Sequence, residues 1–538
     1  MLSEGSTPDG ELDAEVLIVG AGPVGCWLAA ELCGAGVRVL VIEARGTRAQ
    51  WSRGFVVHPR TLEILHSRGA AEPLLEAGQR LPTWHFAMGS RRLDFTALPT
   101  AFPFLLLQPQ ARTEELLEAH LTGLGGAVLR GRRAVGLTQF KDRVVVRVAH
   151  EGTEHELTAA FVVGCDGARS AVRQAAGIEF TGTPDTLVSP SALVELADPP
   201  PPDQYMQTRE QGIFFTIALP DGRFVVSTID HARMAEVDIP WTADMVRESV
   251  RRITGTDFGM GEPERVSTIG NSAKQAHRYR DHRVLLAGDA AHVHFPMGGQ
   301  GLNLGIQDAH NLAWRLAAAA LAQRADPRSP LVDALLDGYE AERRPAGEHV
   351  LEDVRAQMAL VAAPGADGAA LRSRFDALLH EHPEVNLEYA GRLSGLNVRY
   401  PAPAGDDQRL GSRAPDLLLD LGGPDGQPTG LYELMRSVGP ARFLYLDLRG
   451  GPAQPGEAEA DADSTAKAQL QGLNPGFGSD VVTIAARAVL GPDWAVQQGW
   501  GAAEAVLIRP DGHVASTGAE DDAALGALAS YYGIAVAP

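Results

Sequence analysis

Short apolar runs that end in glycine or an acid alternate with helical patterns over the first 300 residues. Glu15-Val-Leu-Ile-Val-Gly20 has no polar face, so it reads as a parallel strand buried on both sides. Cys26 to Gly34 follows with a helical pattern, and Val37 to Ile42 is a second apolar strand closed by Glu43. Together they form one strand–helix–strand unit of about 30 residues. Thr61 to Leu75 and Thr113 to Leu124 have the spacing of amphipathic helices. Val144–Val148 and Glu156–Val163 read as strands, the second running into Gly164-Cys-Asp-Gly167.

The character changes near Pro184. Pro199 to Pro202 predicts a rigid extended connection. Gly212–Leu219 and Arg223–Ile229 are β-rich runs around a Pro220-Asp-Gly222 turn, which predicts a hairpin. Val284-Leu-Leu-Ala-Gly288 is another buried strand, followed by a glycine-rich turn and a helix over about 302–323. Residues 327–400 read as mainly helical. Beyond them lie a loop-like Gly451–Thr465 and strand candidates Phe443–Leu448, Val481–Ala485 and Ala505–Arg509. The domains expected are 1–182 and 276–400 as two parts of one dinucleotide-binding unit, 183–275 as an inserted β-sheet domain, and 401–538 as a separate α/β domain. The class is α/β.

Composition narrows the partners. The chain has 538 residues and a net charge of −21, which disfavours broad binding to nucleic acid or anionic membrane. No apolar run approaches the roughly 18 residues of a membrane span. The first 13 residues lack a basic start and read as a loose tail, not a signal peptide. Three cysteines (Cys26, Cys33 and Cys165) make no disulfide framework and fit a reducing, cytoplasmic setting. Only three Lys stand against 44 Arg, a bias typical of GC-rich bacterial genomes.

Gly20-x-Gly22-x-x-Gly25 stands between the first strand and the first helix, where a dinucleotide fingerprint must stand. Gly20 permits the tight turn, Gly22 lets backbone approach a pyrophosphate, and Gly25 lets helix and strand pack closely. Glu43, about 20 residues on, is placed to accept from a ribose with a free 2′-hydroxyl. A second motif, Cys165-Asp-Gly-Ala-Arg-Ser-Ala-Val-Arg173, follows a strand. A third is Gly288-Asp-Ala-Ala-His-Val-His-Phe-Pro296, continued by Met297-Gly-Gly-Gln-Gly-Leu-Asn303. His292 and His294 are two imidazoles with no Cys or carboxylate partner in the pattern, so no metal is expected.

In this order and spacing the three motifs resemble the class A flavoprotein monooxygenases, the fold of p-hydroxybenzoate hydroxylase and of polyketide-tailoring hydroxylases. The resemblance covers roughly 14–400. It implies a Rossmann-like FAD-binding domain of the glutathione-reductase type around the inserted substrate sheet. It also implies that Asp289 binds the ribityl chain and that Gly299, Gln300, Gly301, Leu302 and Asn303 face the isoalloxazine. Asp166 and Gly167 belong to a motif used for FAD and for the NAD(P)H pyrophosphate, completed by Arg169 and Arg173. Arg45 and Arg53 lie where the family places arginines against FAD phosphates and near the flavin. Gln110-Ala-Arg112-Thr-Glu114 resembles a helix start whose Gln contacts the cofactor. Pro296, with Arg53, is the expected catalytic contact, its carbonyl side toward the reacting ring.

The activity implied is NAD(P)H-dependent monooxygenation. One oxygen atom of O2 enters an electron-rich aromatic ring through a flavin C4a-hydroperoxide. A multi-ring phenol or quinone is the expected substrate, with Phe214, Phe215 and Thr216 as candidate walls, only some of which alternation can turn to the ligand. Baeyer–Villiger insertion beside a ketone is an alternative, as is a non-catalytic flavin-binding protein. Arg409 to Asp416 and Ala505 to Gly512 resemble the thioredoxin-like extension of longer family members. Residues 401–538 contain no cysteine, so dithiol chemistry is excluded and a packing or homodimer role remains.

Overall fold

A computed structural model describes residues 12–48, 52, 54–219, 221–326, 329–401, 407–421, 427–448, 481–489, 500, 503–518 and 521–532. Five parallel strands form the spine of the first domain. Their spatial order is Val284–Leu286, Thr153–Gly164, Ala14–Val19, Val39–Glu43 and Val128–Arg130. Ala14–Val19 is buried along its whole length, as its unbroken apolar run requires. The register brings four strand ends level: Val19 pairs with Ile42 and Gly164, and Gly164 pairs with Leu286. Gly20, Cys165 and Ala287 then donate to Ile42, Val19 and Gly164 at 2.8, 2.8 and 3.0 Å, so all three motifs leave the same edge of one sheet.

The helix expected over 61–75 is two shorter ones, Pro59–His66 and Glu72–Ala77. Gly69 turns left-handed (φ +71°) and releases the chain between them. The second amphipathic helix spans Gln110–Gly123, and the helix after the third motif is longer than expected, Gln300–Ala325. Leu331–Ala362, Gly365–Glu381 and Pro383–Ser394 supply the helical stretch before 400. The extended proline connection ends in a 3-10 turn at Pro202–Gln204.

The insertion is a five-stranded antiparallel sheet with Gly212–Ala218 and Phe224–Asp230 at its centre. The Ala243–Thr254 helix covers one face, packing Val246, Val250 and Ile253 against Phe214 and Val226. The C-terminal region holds a sheet ordered Val481–Ala485, Phe443–Asp447, Ala505–Ile508, Val514–Thr517, with the first pair parallel and the others antiparallel. The Gly451–Thr465 loop lies outside the described residues.

Candidate active site

The glycine loop has the shape its spacing predicts. Gly20 sits at φ +105°, and a Cβ there would stand 2.3 Å from the Cys165 carbonyl oxygen. A Cβ on Gly25 would lie 1.9 Å from the Gly20 oxygen, so neither position accepts a side chain. Above Gly22 a Cβ would meet nothing within 4 Å, which leaves the backbone open to a ligand at the N-terminus of the Pro23–Gly34 helix. Glu43 uses both oxygens on backbone: Oε2 accepts from Ala21 N at 3.0 Å and Oε1 from Arg45 N at 2.9 Å. The Arg45 side chain is exposed beside it.

Asp166 caps the short helix after the second motif, its Oδ2 accepting from Ala171 N at 2.7 Å and Val172 N at 3.2 Å. Burial pushes its carboxyl up against the pull of those bonds and of Ser170. Gly167 turns left-handed at φ +80° with open space where a Cβ would go. Arg169 is exposed, whereas Arg173 is buried. Arg173 donates to Ala290 O at 2.8 Å and so ties the second motif to the third.

Asp289 is exposed at the start of the third motif's turn. Gly298 and Gly299 are left-handed in succession (φ +72° and +77°), which only glycine adopts at little cost, and they swing the chain into the long helix. Gly299 caps that helix without a side chain, so its first amides are free to face an electron-rich acceptor. Gln300 is buried and reaches Met297 O at 3.3 Å; Gly301 and Leu302 are half-buried. Pro296 is exposed, its carbonyl accepting from Gly299 N at 3.2 Å.

Asn303 does something the sequence does not announce. Its side chain accepts from His58 N at 2.8 Å and donates to Val56 O at 3.0 Å and Gly299 O at 2.7 Å. His58 in turn reaches Gly298 O through Nε2 at 3.0 Å. The turn is thus clamped from behind by Asn303 together with His58, which belongs to no motif.

His292 donates from Nε2 to buried Asp308 at 2.6 Å, a structural pairing. His294 differs. Its Nδ1 donates to Phe295 O at 2.7 Å, so Nε2 is left as an acceptor, buried and without a partner. Burial holds its imidazole neutral, pulled down to about 4. That Nε2 and Asp289 Oδ1 stand 4.0 and 3.9 Å from the position a Cβ on Gly301 would take. Two acceptors beside a helix N-terminus suit a polyhydroxyl chain, and FAD's ribityl group is one.

Gln110 donates to Glu114 at 2.7 Å at the start of its helix, close to Gly54. Arg112 is exposed, in an ion pair with Glu115 at 2.6 Å. Arg53 lies outside the described residues. Phe214 and Thr216 point to the helix-covered face of the inserted sheet, Phe214 against Phe258 at 5.2 Å between ring centroids and Thr216 donating to Val225 O at 3.1 Å. Strand alternation therefore removes both from the ligand wall. Phe215 takes the other face, in one apolar cluster with Ile213, Phe295 and Met297.

Comparison with known proteins agrees with this geometry. Residues 13–354 match the family model described as "FAD binding domain", and 407–533 match "Aromatic-ring hydroxylase, C-terminal". The chain belongs to the FAD-dependent aromatic-ring hydroxylases. It is 37% identical over 533 residues to a 12-dehydrotetracycline 5-monooxygenase/anhydrotetracycline 6-monooxygenase of Streptomyces rimosus, covering 96% of this chain and 99% of that one. It is 36% identical over 528 residues to a rifampicin monooxygenase of Streptomyces venezuelae, covering 97% and 99%. The structure of an anhydrotetracycline hydroxylase from Streptomyces rimosus superposes with a TM-score of 0.82 at 37% identity, over 97% of this chain and 99% of that one. This hydroxylase is a flavin-dependent monooxygenase that binds FAD. Among the described residues, no helix is long and apolar enough to cross a membrane.

Proposed function

We propose that this hydroxylase draws electrons from NADH or NADPH and inserts one atom of O2 into a multi-ring phenol or quinone of the polyketide type. The observation that carries this reading is the apolar cluster that joins the turn at Pro296 to the inserted sheet. Phe295 and Met297 from the turn share it with Ile213 and Phe215 from the sheet, and with Met88, Met206, Met234 and Met358. An aromatic substrate held between turn and sheet is kept from water, and methionine walls adapt to large rings. The names of the tetracycline and rifampicin relatives support the same substrate class.

FAD, when bound, supplies the redox and oxygen chemistry. The chain's own residues hold it. Gly20, Gly22 and Gly25 take the pyrophosphate, Glu43 the adenosine ribose, and Asp289 with His294 the ribityl hydroxyls. The amides of Gln300 to Leu302 would face the pyrimidine edge of the ring, Gly299 and Asn303 would shape the turn that presents them, and the carbonyl side of Pro296 would lie toward the substrate. Asp166, Gly167 and Arg45 serve the phosphates. The C-terminal strand order supports the thioredoxin-like reading, and the free cysteines support a reducing, cytoplasmic setting. A homodimer belongs to the same proposal and is checked by sedimentation.

The test is mass spectrometry of product formed under isotope-labelled O2, with NAD(P)H oxidation followed on adding phenols and quinones. One labelled atom in a product of unchanged carbon skeleton is expected, with substrate stimulating NAD(P)H oxidation. A labelled lactone or ester means Baeyer–Villiger insertion. Hydrogen peroxide alone across a broad panel, or no NAD(P)H consumption, overturns the proposal.

A further inference from the structure

A continuous buried chain of ring and hydrogen-bond contacts runs from the C-terminal domain to the turn that carries Asp289. At its far end His513 packs at a tilt against the Tyr400 ring, with centroids 4.2 Å apart, and the Arg509 guanidinium lies 5.1 Å from the same ring centre. Arg509 is itself fixed between Glu342 at 2.6 Å and Asp511. The Tyr400 hydroxyl accepts from Arg343 Nη1 at 3.0 Å. Arg343 donates through Nε to Asp308 Oδ1 at 2.8 Å. Asp308 Oδ2 then accepts from Gly288 N at 3.1 Å and from His292 Nε2 at 2.6 Å. Tyr400, Arg343, Asp308, Arg509 and His513 are all buried.

Two ring contacts on Tyr400, its hydroxyl, the Arg343–Asp308 ion pair and one backbone amide make up the links, all in a low-dielectric interior where a displaced polar partner is costly. The Gly288 amide is the last link, one residue before Asp289. Gly288 has little freedom of its own, since a Cβ there would stand 2.9 Å from Val24 of the first helix. A shift of Asp308 therefore moves the turn against the N-terminus of the Pro23–Gly34 helix.

We propose that Tyr400 is a positioning residue through which the C-terminal domain holds the Gly288–Asp289 turn in the geometry FAD requires. The proposal rests on the reading that this turn binds FAD. It gives the cysteine-free domain a task that needs no redox chemistry: it braces the cofactor site from behind.

The test compares two hydroxyl deletions in the full-length protein. Tyr400→Phe breaks the chain at its centre. Tyr432→Phe removes a buried hydroxyl that donates to Ala414 O at 2.9 Å within the C-terminal domain, off the chain. FAD dissociation constants are measured by flavin fluorescence on the apoprotein, beside urea denaturation of the same apoproteins. Tyr400→Phe should weaken FAD roughly tenfold, the scale of one hydrogen bond to a charged group. Tyr432→Phe should lower stability and leave FAD affinity as it was. Asp308→Asn in the same titration should weaken FAD, and the double variant with Tyr400→Phe should be less than additive. Unchanged affinity in Tyr400→Phe, an equal loss in Tyr432→Phe, or strict additivity with Asp308→Asn overturns the proposal. Should Asp308→Asn fail to fold, the two tyrosine variants decide. Failure of the wild-type protein to bind FAD would instead sink the underlying reading.

Discussion

Glu43 accepts the amide hydrogen of Ala21 at 3.0 Å, so the acid at the end of the second strand also shapes the glycine loop at the end of the first. Its other oxygen holds Arg45 N at 2.9 Å. Each carboxylate oxygen keeps a second lone pair, which is what a ribose hydroxyl needs. Glu43→Ala should therefore weaken FAD and cost about 2 kcal/mol of stability, because two amides lose a charged acceptor. The flavin absorption bands should not move, since the contact is at the adenosine end. A shifted spectrum with unchanged affinity would show that this loop does not hold the adenosine half.

Asp289 offers the opposite combination. It is exposed, so Asp289→Ala should cost the apoprotein less stability than Glu43→Ala does. Two hydroxyl bonds to a charged acceptor are worth roughly 3 kcal/mol, so FAD affinity should fall about 100-fold. Fluorescence titration and thermal denaturation of the same preparation check both halves. Full occupancy with wild-type affinity would remove Asp289 from the cofactor site.

The motifs were legible because each sits where an apolar strand ends, and parallel register then brings such ends level. The glycines were legible because backbone crowding at Gly20 and Gly25 admits no other residue. The third motif marks Asn303 for the turn, but not that its side chain clamps Val56 and His58. That partnership spans 245 residues and involves isolated polar positions, which have no period to detect. The buried Arg509–Glu342 pair has no sequence signal for the same reason: a charge pattern does not reveal which charges find a buried partner. The Phe214–Thr216 run reads as strand, yet which alternate face meets the helix depends on Val246 and Ile253, far along the chain.

That alternation makes a paired test. Phe214 is fully buried under the Ala243–Thr254 helix, so Phe214→Ala should cost about 3–5 kcal/mol of stability. Phe215 is half-buried in the cluster with Phe295 and Met297. Phe215→Ala should cost less stability and raise KM for aromatic substrate, with FAD affinity unchanged. Urea denaturation and steady-state kinetics separate the two, and a raised KM from a folded Phe214→Ala with none from Phe215→Ala would reverse the assignment of faces.

Acid should destabilise the enzyme from just below neutrality, in two steps. Burial lowers His58, His294 and His513 from 6.5 to about 4, and His85 to about 3. Between pH 6.5 and 4 the unfolded chain binds protons these imidazoles refuse in the native state, so stability is full above 6.5 and falls as pH falls. Glu342 adds a lower step. Burial alone would raise its carboxyl, but Arg315 and Arg509 override it and bring it down to about 2 from 4.5. Its contribution is complete above pH 4.5 and is lost toward pH 2, again because the unfolded state takes up the proton first. Urea midpoints measured at pH 7.5, 5.5 and 4.5 should therefore decline steadily. His294→Gln should flatten part of the upper step, whereas Glu342→Gln should lower stability at pH 7.5 and leave that step intact. Midpoints that stay level from pH 7.5 to 5.5 would mean these imidazoles reach solvent in the native protein.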